Sequence, residues 1–445
     1  MHAPPPPPPS PPSSSDRPIT PVTAPATAPG GAPALSELRL SAYRGLRART
    51  VPLSRVTVLT GPSGSGKSTV LEAYEALAGL GRGAALSDVF PAAPAPLAAS
   101  ATSVVPAARP SAASTPASLA PTPAAPGGSS PYVPQAALPD RGGRRGFRLG
   151  CTVVGPAGPV RFDVAVQAEP ELRVVGERLT GAGGETLLST ALRDPARRAV
   201  EVTWHTGNAT RVLRTPFPDD RLAVPLLPLH VAGATAAQRT VLAAAEQVVV
   251  ALRGVFACDP VPARMRGPVA EGDGLLRGCC ENLAAVVGRT RAECSSRHAA
   301  LLGVLRAGCA GPVAELRAEP GGRGLVRALV ERGADRAVTP LEWLGDAELR
   351  YAALALVLLT GPGVLSVDPV SEVPAARQAL TVLADGLDRD LDGAQTRQLL
   401  SLAARMGARG HVRLLATGPD SGPLAREAAR ERARAEGVSL VDLGA

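Results

Sequence analysis

Lysine is almost absent from this chain. Of its 47 lysines and arginines, Lys67 is the one lysine, so positive charge is otherwise carried by the planar, always-charged guanidinium. Aromatic residues make up 2% of the sequence, which leaves little with which to stack on nucleic-acid bases. Six cysteines, at 151, 258, 279, 280, 294 and 309, form no C-x-x-C pair and no zinc spacing with the five histidines. They read as small core residues in a reducing compartment. No heptad pattern is sustained over several turns, which excludes a long coiled-coil arm. The N-terminal stretch has no basic segment followed by an apolar core, so no secretory signal is expected. The long apolar run at 351–367 is broken by Thr360, Gly361, Pro362 and Gly363 into a helix and a strand, each too short for a bilayer. The expectation is a soluble, cytoplasmic protein with no membrane segment.

Proline and alanine, by contrast, crowd into two tracts. Residues 1–33 are dominated by Pro, Ser, Ala and Thr, and residues 91–145 by Ala, Pro, Ser and Thr with almost no large apolar side chains. Neither can bury enough surface to offset the entropy of ordering, so both are expected to be disordered. The formal net charge of +8 leaves nucleic acid open as an acidic partner. The arginines are scattered, however, with only short clusters such as 141–148, and a solvated arginine-rich surface explains them equally well.

The most informative stretch is 56–80, VTVLTGPSGSGKSTVLEAYEALAGL. It fits G-x-x-x-x-G-K-[ST] at Gly61, Gly66, Lys67 and Ser68, with Pro62, Ser63, Gly64, Ser65 and Thr69 completing the phosphate-binding loop. The glycines let successive N–H groups turn inward around phosphates, and the following helix adds its positive end. Lys67 then reaches the terminal phosphates and the Ser68 hydroxyl is placed to ligate Mg²⁺. Context agrees: residues 56–60 read as a buried parallel strand, and Val70, Leu71, Tyr74, Leu77 and Ala78 recur at helical spacing before Gly79, Gly81 and Gly83 end the helix.

Along the rest of the chain, residues 35–53 predict two strands leading into the loop strand. Alternation at Phe147, Leu149, Cys151 and Val153, then at Val160, Phe162, Val164 and Val166, with further strands at 172–179 and 200–204, predicts an antiparallel meander with one buried face. Helices are predicted at 235–253 and 282–305, and a short strand plus a helix at 313–330. The last third returns to α/β, with helices at 348–359, 374–387 and 395–406 and strands at 364–367 and 412–416. Those two strands are expected beside 56–60 in one parallel sheet, with nucleotide at their carboxyl ends.

Asp368, directly after the apolar 364–367, is the Walker B candidate that would hold Mg²⁺ with Ser68. Upstream, LGDAELRY at 344–351 resembles the ABC-type signature loop in the LSDGELRY form of RecF/SMC-like ATPases. The resemblance extends to LRLSAYRG at 38–45, VGERL at 175–179, FACDP at 256–260 with MRGP at 265–268, and GCCENLAA at 278–285. Together these are similar to the compact "predicted ATPase" branch of the RecF/SMC/ABC-type AAA ATPases. The resemblance implies an α/β P-loop NTPase head with an antiparallel β subdomain and a helical insertion. ATP and Mg²⁺ would lie between the heads of a homodimer, and Gly345, Asp346, Ala347 and Glu348 of one copy would act on nucleotide held by the other.

On this reading the chain divides into a disordered tail (1–33), the first part of the ATPase core (34–90), a disordered insertion (91–145), the antiparallel subdomain (146–230), the helical insertion (231–338) and the rest of the core (339–445). Two departures bear on turnover. The glutamate that the family places after the Walker B aspartate is Pro369 here, with Glu372 the nearest carboxylate, and its switch histidine is Gly418. His411 precedes the late strand rather than following it, and neither Gln135 nor Gln167 is a clear Q-loop residue. The expected activity is ATP hydrolysis that is slow; the alternative is a nucleotide-dependent switch or scaffold with little turnover.

Overall fold

The computed structural model describes residues 31–91, 130–204, 215–361, 363–367, 373–374, 378–410, 412–434 and 436–444. Its first elements are the hairpin β1 (Ala34–Tyr43) and β2 (Leu46–Pro52), the loop strand β3 (Val56–Thr60), α1 (Lys67–Gly81) and the short α2 (Leu86–Val89). A run of strands follows: β4 (Arg145–Val154), β5 (Val160–Glu169), β6 (Arg173–Thr180), β7 (Thr186–Ala191), β8 (Ala199–Trp204) and β9 (Thr215–Pro218). Next come α3 (Ala236–Arg253), β10 (Val255–Ala257), α4 (Pro262–Met265), β11 (Val269–Ala270), α5 (Leu283–Glu293) and α6 (Ser295–Gly308). The chain continues with β12 (Glu315–Gly322), β13 (Leu325–Glu331), β14 (Thr339–Pro340) and α7 (Asp346–Leu358). It ends with β15 (Leu380–Ala384), α8 (Gly393–Ala408), β16 (Val412–Thr417), α9 (Pro423–Arg432) and β17 (Val438–Asp442).

Among the described residues these strands form three sheets. The eight-stranded sheet, in the order β2-β1-β4-β5-β6-β7-β8-β9, is the expected antiparallel meander. Alternation sets its register: Leu38, Leu40, Leu149, Cys151, Phe162 and Val164 lie on the covered face, while Arg39, Arg148 and Arg161 lie on the other. The five-stranded sheet, β10-β15-β16-β3-β17, is parallel throughout. α1 and α3 lie between the two sheets in one apolar core, while α5 to α9 share the second core with the far face of the parallel sheet.

Both faces of β3 are therefore covered, and all five of its residues are buried. α1 is buried along most of its length, and its glycines are part of that packing: a Cβ at Gly81 would lie 2.6 Å from Leu252 Cβ. The helix accordingly runs through Gly79 and Gly81 instead of ending before them, and Gly83 follows in a left-handed turn at φ +87°. A half-buried arginine ties the two sheets together: Arg413 on β16 donates to the carbonyls of Leu35, Leu53 and Ser54.

Four sequence expectations are corrected. Residues 364–367 are not a strand of the parallel sheet: Leu365 makes only an isolated bridge to Leu276, with Leu276 N–H on Val364 O and Ser366 N–H on Leu276 O, both at 2.8 Å. Where a helix is expected at 374–387, the described residues from 380 onward form the strand β15 and the turn after it, and 375–377 lie outside the described residues. Ala, Gln and Leu favour a helix locally, but burial of all five β15 residues between β10 and β16 decides for strand. Residues 313–330 form an antiparallel hairpin, β12 and β13, with no helix, so the insertion carries a small sheet besides its helices. The far end of the 91–145 tract is built into the fold: Val133 is buried, Tyr132 packs on Phe90, and Arg145 pairs with Glu169. The strands β7, β9, β10, β11, β14 and β17 carried no recognised sequence signal. As expected for the 351–367 run, no described helix is long and apolar enough to cross a membrane.

The VGERL strand supplies a pH dependence. Glu177 is 2% exposed on the covered face of β6 and accepts the N–H groups of Ala223 and Val224. Burial pushes its carboxyl from 4.5 up to about 7, with those two hydrogen bonds pulling the other way. The folded state thus holds this proton more tightly than the unfolded chain, so the contribution of Glu177 to stability is fully present below about pH 4.5 and is lost as pH rises through 7. The full span corresponds to about 3 kcal/mol. Glu177→Gln is expected to remove this contribution, so urea midpoints at pH 4.5 and 7.5 should differ less for the variant than for the wild type.

Candidate functional site

The loop between β3 and α1 is a cradle at the carboxyl edge of the parallel sheet. Gly61, Gly64 and Gly66 all have positive φ, at +142°, +84° and +94°. At Gly66 a Cβ would also lie 2.7 Å from Leu46 Cδ2, because the β1–β2 hairpin leans over the loop. Pro62, Ser63 and Gly64 are exposed at the tip, and Ser65 Oγ is buried with no hydrogen-bond partner among the described residues. Lys67 folds back so that Nζ donates to Gly61 O at 2.5 Å and Pro62 O at 2.9 Å. Thr69 follows in the first turn of α1. An ammonium bonded to two loop carbonyls is poised to exchange them for anionic oxygens of stronger charge.

The acid facing this loop is Asp385, which the sequence reading missed. It follows β15 immediately, and its Oδ2 accepts the Ser68 hydroxyl at 2.9 Å. Oδ1 accepts Thr417 Oγ1 at 2.5 Å, and Thr417 Oγ1 in turn accepts the Gly386 N–H at 2.8 Å. Thr417 ends β16, the strand between β15 and β3, so three neighbouring strand ends set this carboxylate. Ser68 is exposed and Asp385 half-buried. Two hard oxygen donors on an open edge fit Mg²⁺, which takes one or two protein oxygens and completes its shell with water and phosphate. The available signal was LTVLAD at 380–385, an apolar run ending in aspartate, which helical spacing across 374–387 concealed.

One turn beyond Ser68, Glu72 pairs with Arg44 at 2.9 Å. Burial pushes its carboxyl up; Arg44 opposes the rise and the nearby negative Asp385 adds to it. The Arg44 guanidinium lies 5.6 Å from the centre of the Tyr132 ring, so the ordered end of the alanine/proline tract reaches the flank of the site.

Asp368, Glu372 and His411 lie outside the described residues, as does Pro369. Gly386 stands after Asp385, so no carboxylate follows directly. Gly418 donates its N–H to Leu59 O, and a Cβ there would lie 3.1 Å from Leu424 Cδ2. The neighbouring acids have other work: Asp388 accepts the Leu424 N–H in the first turn of α9, and Asp259 pairs with Arg350 and Arg389.

The signature-like residues form the start of α7, with Gly345 as its N-cap and Asp346, Ala347 and Glu348 in its first turn. Both acids are held by arginines, Asp346 by Arg266 at 2.8 Å and Glu348 by Arg332 at 3.7 Å. Glu348 also lies beside Cys309, whose thiol is pushed up to about 12 by burial and by that carboxylate. Arg350, buried on the same helix, donates to Asp259 Oδ1 at 3.1 Å, Pro260 O at 2.5 Å, Arg389 O at 3.2 Å and Gly386 O at 3.5 Å. The signature-like helix is thereby bonded to the turn that follows Asp385.

No family model and no curated protein sequence matches the chain. Solved structures with a similar outline are SMC head domains. One is bound to the C-terminal winged-helix domain of ScpA (10% identity, TM-score 0.40, covering 88% of this chain and 92% of that one). Another is the SMC head domain from Thermotoga maritima (11%, 0.35, 88% and 92%). A third is an Smc head with an extended coiled coil bound to the C-terminal domain of ScpA, derived from Pyrococcus furiosus (11%, 0.39, 89% and 92%). At such scores the overlap defines neither family nor function, and the functional reading rests on this chain's own residues.

Proposed function

We propose that the chain binds Mg·ATP and is an ATPase of the RecF/SMC/ABC-like AAA kind, with nucleotide enclosed between two copies of the head. The observation that carries this reading is the 2.9 Å contact between Ser68 Oγ and Asp385 Oδ2 at the rim of a glycine loop holding the chain's one lysine. Residues 61–69 would wrap the phosphates, Lys67 would meet the terminal ones, and Ser68 with Asp385 would hold Mg²⁺. Bound there, the ion would neutralise charge on the β- and γ-phosphate oxygens. Gly345, Asp346, Ala347 and Glu348 would face the nucleotide of the second copy.

A second reading, a nucleotide-dependent switch that turns over little, is favoured by Gly386 and Gly418, which stand where a water-activating carboxylate and a histidine would act. Steady-state hydrolysis by the full chain, beside ATP binding on the same samples, separates the two. The ATPase reading expects turnover that requires Lys67, on the order of 10⁻² s⁻¹ or slower in the absence of a dedicated base. ATP binding with no Lys67-dependent turnover selects the switch. Duplex DNA, left open by the net charge, would have to bind with a steep loss as salt rises and more tightly with ATP.

A further inference from the structure

The D-P-x-x-x-x-M-R-G-P segment at 259–268 is given no role by the proposed function, yet it grips both ends of the signature-like stretch. At one end Arg266 Nη2 donates to Leu344 O and to Asp346 Oδ1, each at 2.8 Å. At the other, Asp259 Oδ1 and Pro260 O accept from Arg350. The two ion pairs run in opposite senses, arginine to aspartate and aspartate to arginine, between segments about 80 to 90 residues apart in sequence. Arg350 continues to Gly386 O, the residue after Asp385.

We infer that this segment is a clasp for the signature-like loop, with Arg266 as the positioning residue that draws the Asp346 carboxylate aside and neutralises it. The inference rests on the proposed enclosure of nucleotide by two copies. The electrostatic need is plain: α7 opens with two acids, Asp346 and Glu348, and an unpaired carboxylate beside an approaching γ-phosphate would repel it. Gly345 and Asp346 are both exposed at this end of α7, and the absent Cβ of Gly345 would meet nothing within 4 Å, so pairing with Arg266 is what offsets the outward charge of Asp346, while Glu348 turns toward Arg332. The Arg266–Asp346 pair has side-chain exposures of 34% and 62%, so it adds little to folding, and its loss should act on association instead.

The test uses the full chain in Mg²⁺ with ATP and with a non-hydrolysable ATP analogue. Binding is followed with a fluorescent ATP, and self-association by sedimentation velocity. Arg266→Ala is expected to bind nucleotide like the wild type but to self-associate roughly tenfold more weakly, the scale of an unpaired charge at an interface. Adding Asp346→Asn to Arg266→Ala should restore most of that loss, because it removes the charge that Arg266 was neutralising. Unchanged association of Arg266→Ala overturns the inference, as does a double variant no better than the single one, which would make Arg266 a mere brace. A wild type that binds ATP without self-associating overturns the two-copy reading itself, and the clasp's role with it.

Discussion

Lys67→Ala is expected to abolish measurable ATP binding. Its ammonium already sits over the loop on the Gly61 and Pro62 carbonyls, within reach of phosphates entering the cradle. A hydrogen bond to a charged group contributes about 1.5–3 kcal/mol. Two such bonds to phosphate oxygens amount to roughly 3–6 kcal/mol, a factor of about 10² to 10⁴ in Kd. No other lysine exists in the chain to take over. Lys67 is only half-buried, so the variant should keep its circular dichroism and melting temperature. A fluorescent-ATP titration reads the change directly; an unaltered Kd would remove the loop from the nucleotide site altogether.

The second large effect concerns the acid. Asp385→Asn preserves shape and can still accept the Thr417 hydroxyl, but it takes the negative charge away from Ser68. Nucleotide should bind the variant as it binds the wild type when Mg²⁺ is chelated. The gain in affinity on adding Mg²⁺ should disappear, and any turnover should fall by about 10² or more, as when a metal's charge stabilisation is lost. Asp368→Asn, at the aspartate to which the 364–367 run first points, is expected to leave the Mg²⁺ response intact. Should Asp368→Asn abolish that response while Asp385→Asn does not, the metal position belongs to Asp368.

The two aspartates show what kind of information each level holds. VLSVD at 364–368 and LTVLAD at 380–385 are both apolar runs ending in a carboxylate, and composition does not rank them. Pairing does: Leu380 to Ala384 lie in register with Val412 to Ala416, whereas Leu365 bridges only to Leu276. A buried parallel strand is defined by neighbours far away in sequence, here β10 and β16, and the helix-favouring residues before Leu380 pointed the other way. The same limit hid β17, which lies beside β3 on the strength of partners that no local pattern announces.

What the amino-acid order determined alone was the phosphate cradle and the meander. Strand, glycine turn and helix at 56–80 are adjacent in the chain, so φ requirements, helix polarity and the reach of Lys67 act within a few residues of one another. Alternation along 147–166 likewise sets which face of each strand is buried without help from distant parts. Only the tertiary structure decided which acid meets Ser68, that Thr417 orients it, and that Arg266 and Arg350 tie the signature-like loop to segments remote in sequence. Those contacts join residues 30 or more positions apart, and their geometry exists only after the strands of the parallel sheet have been ordered against each other.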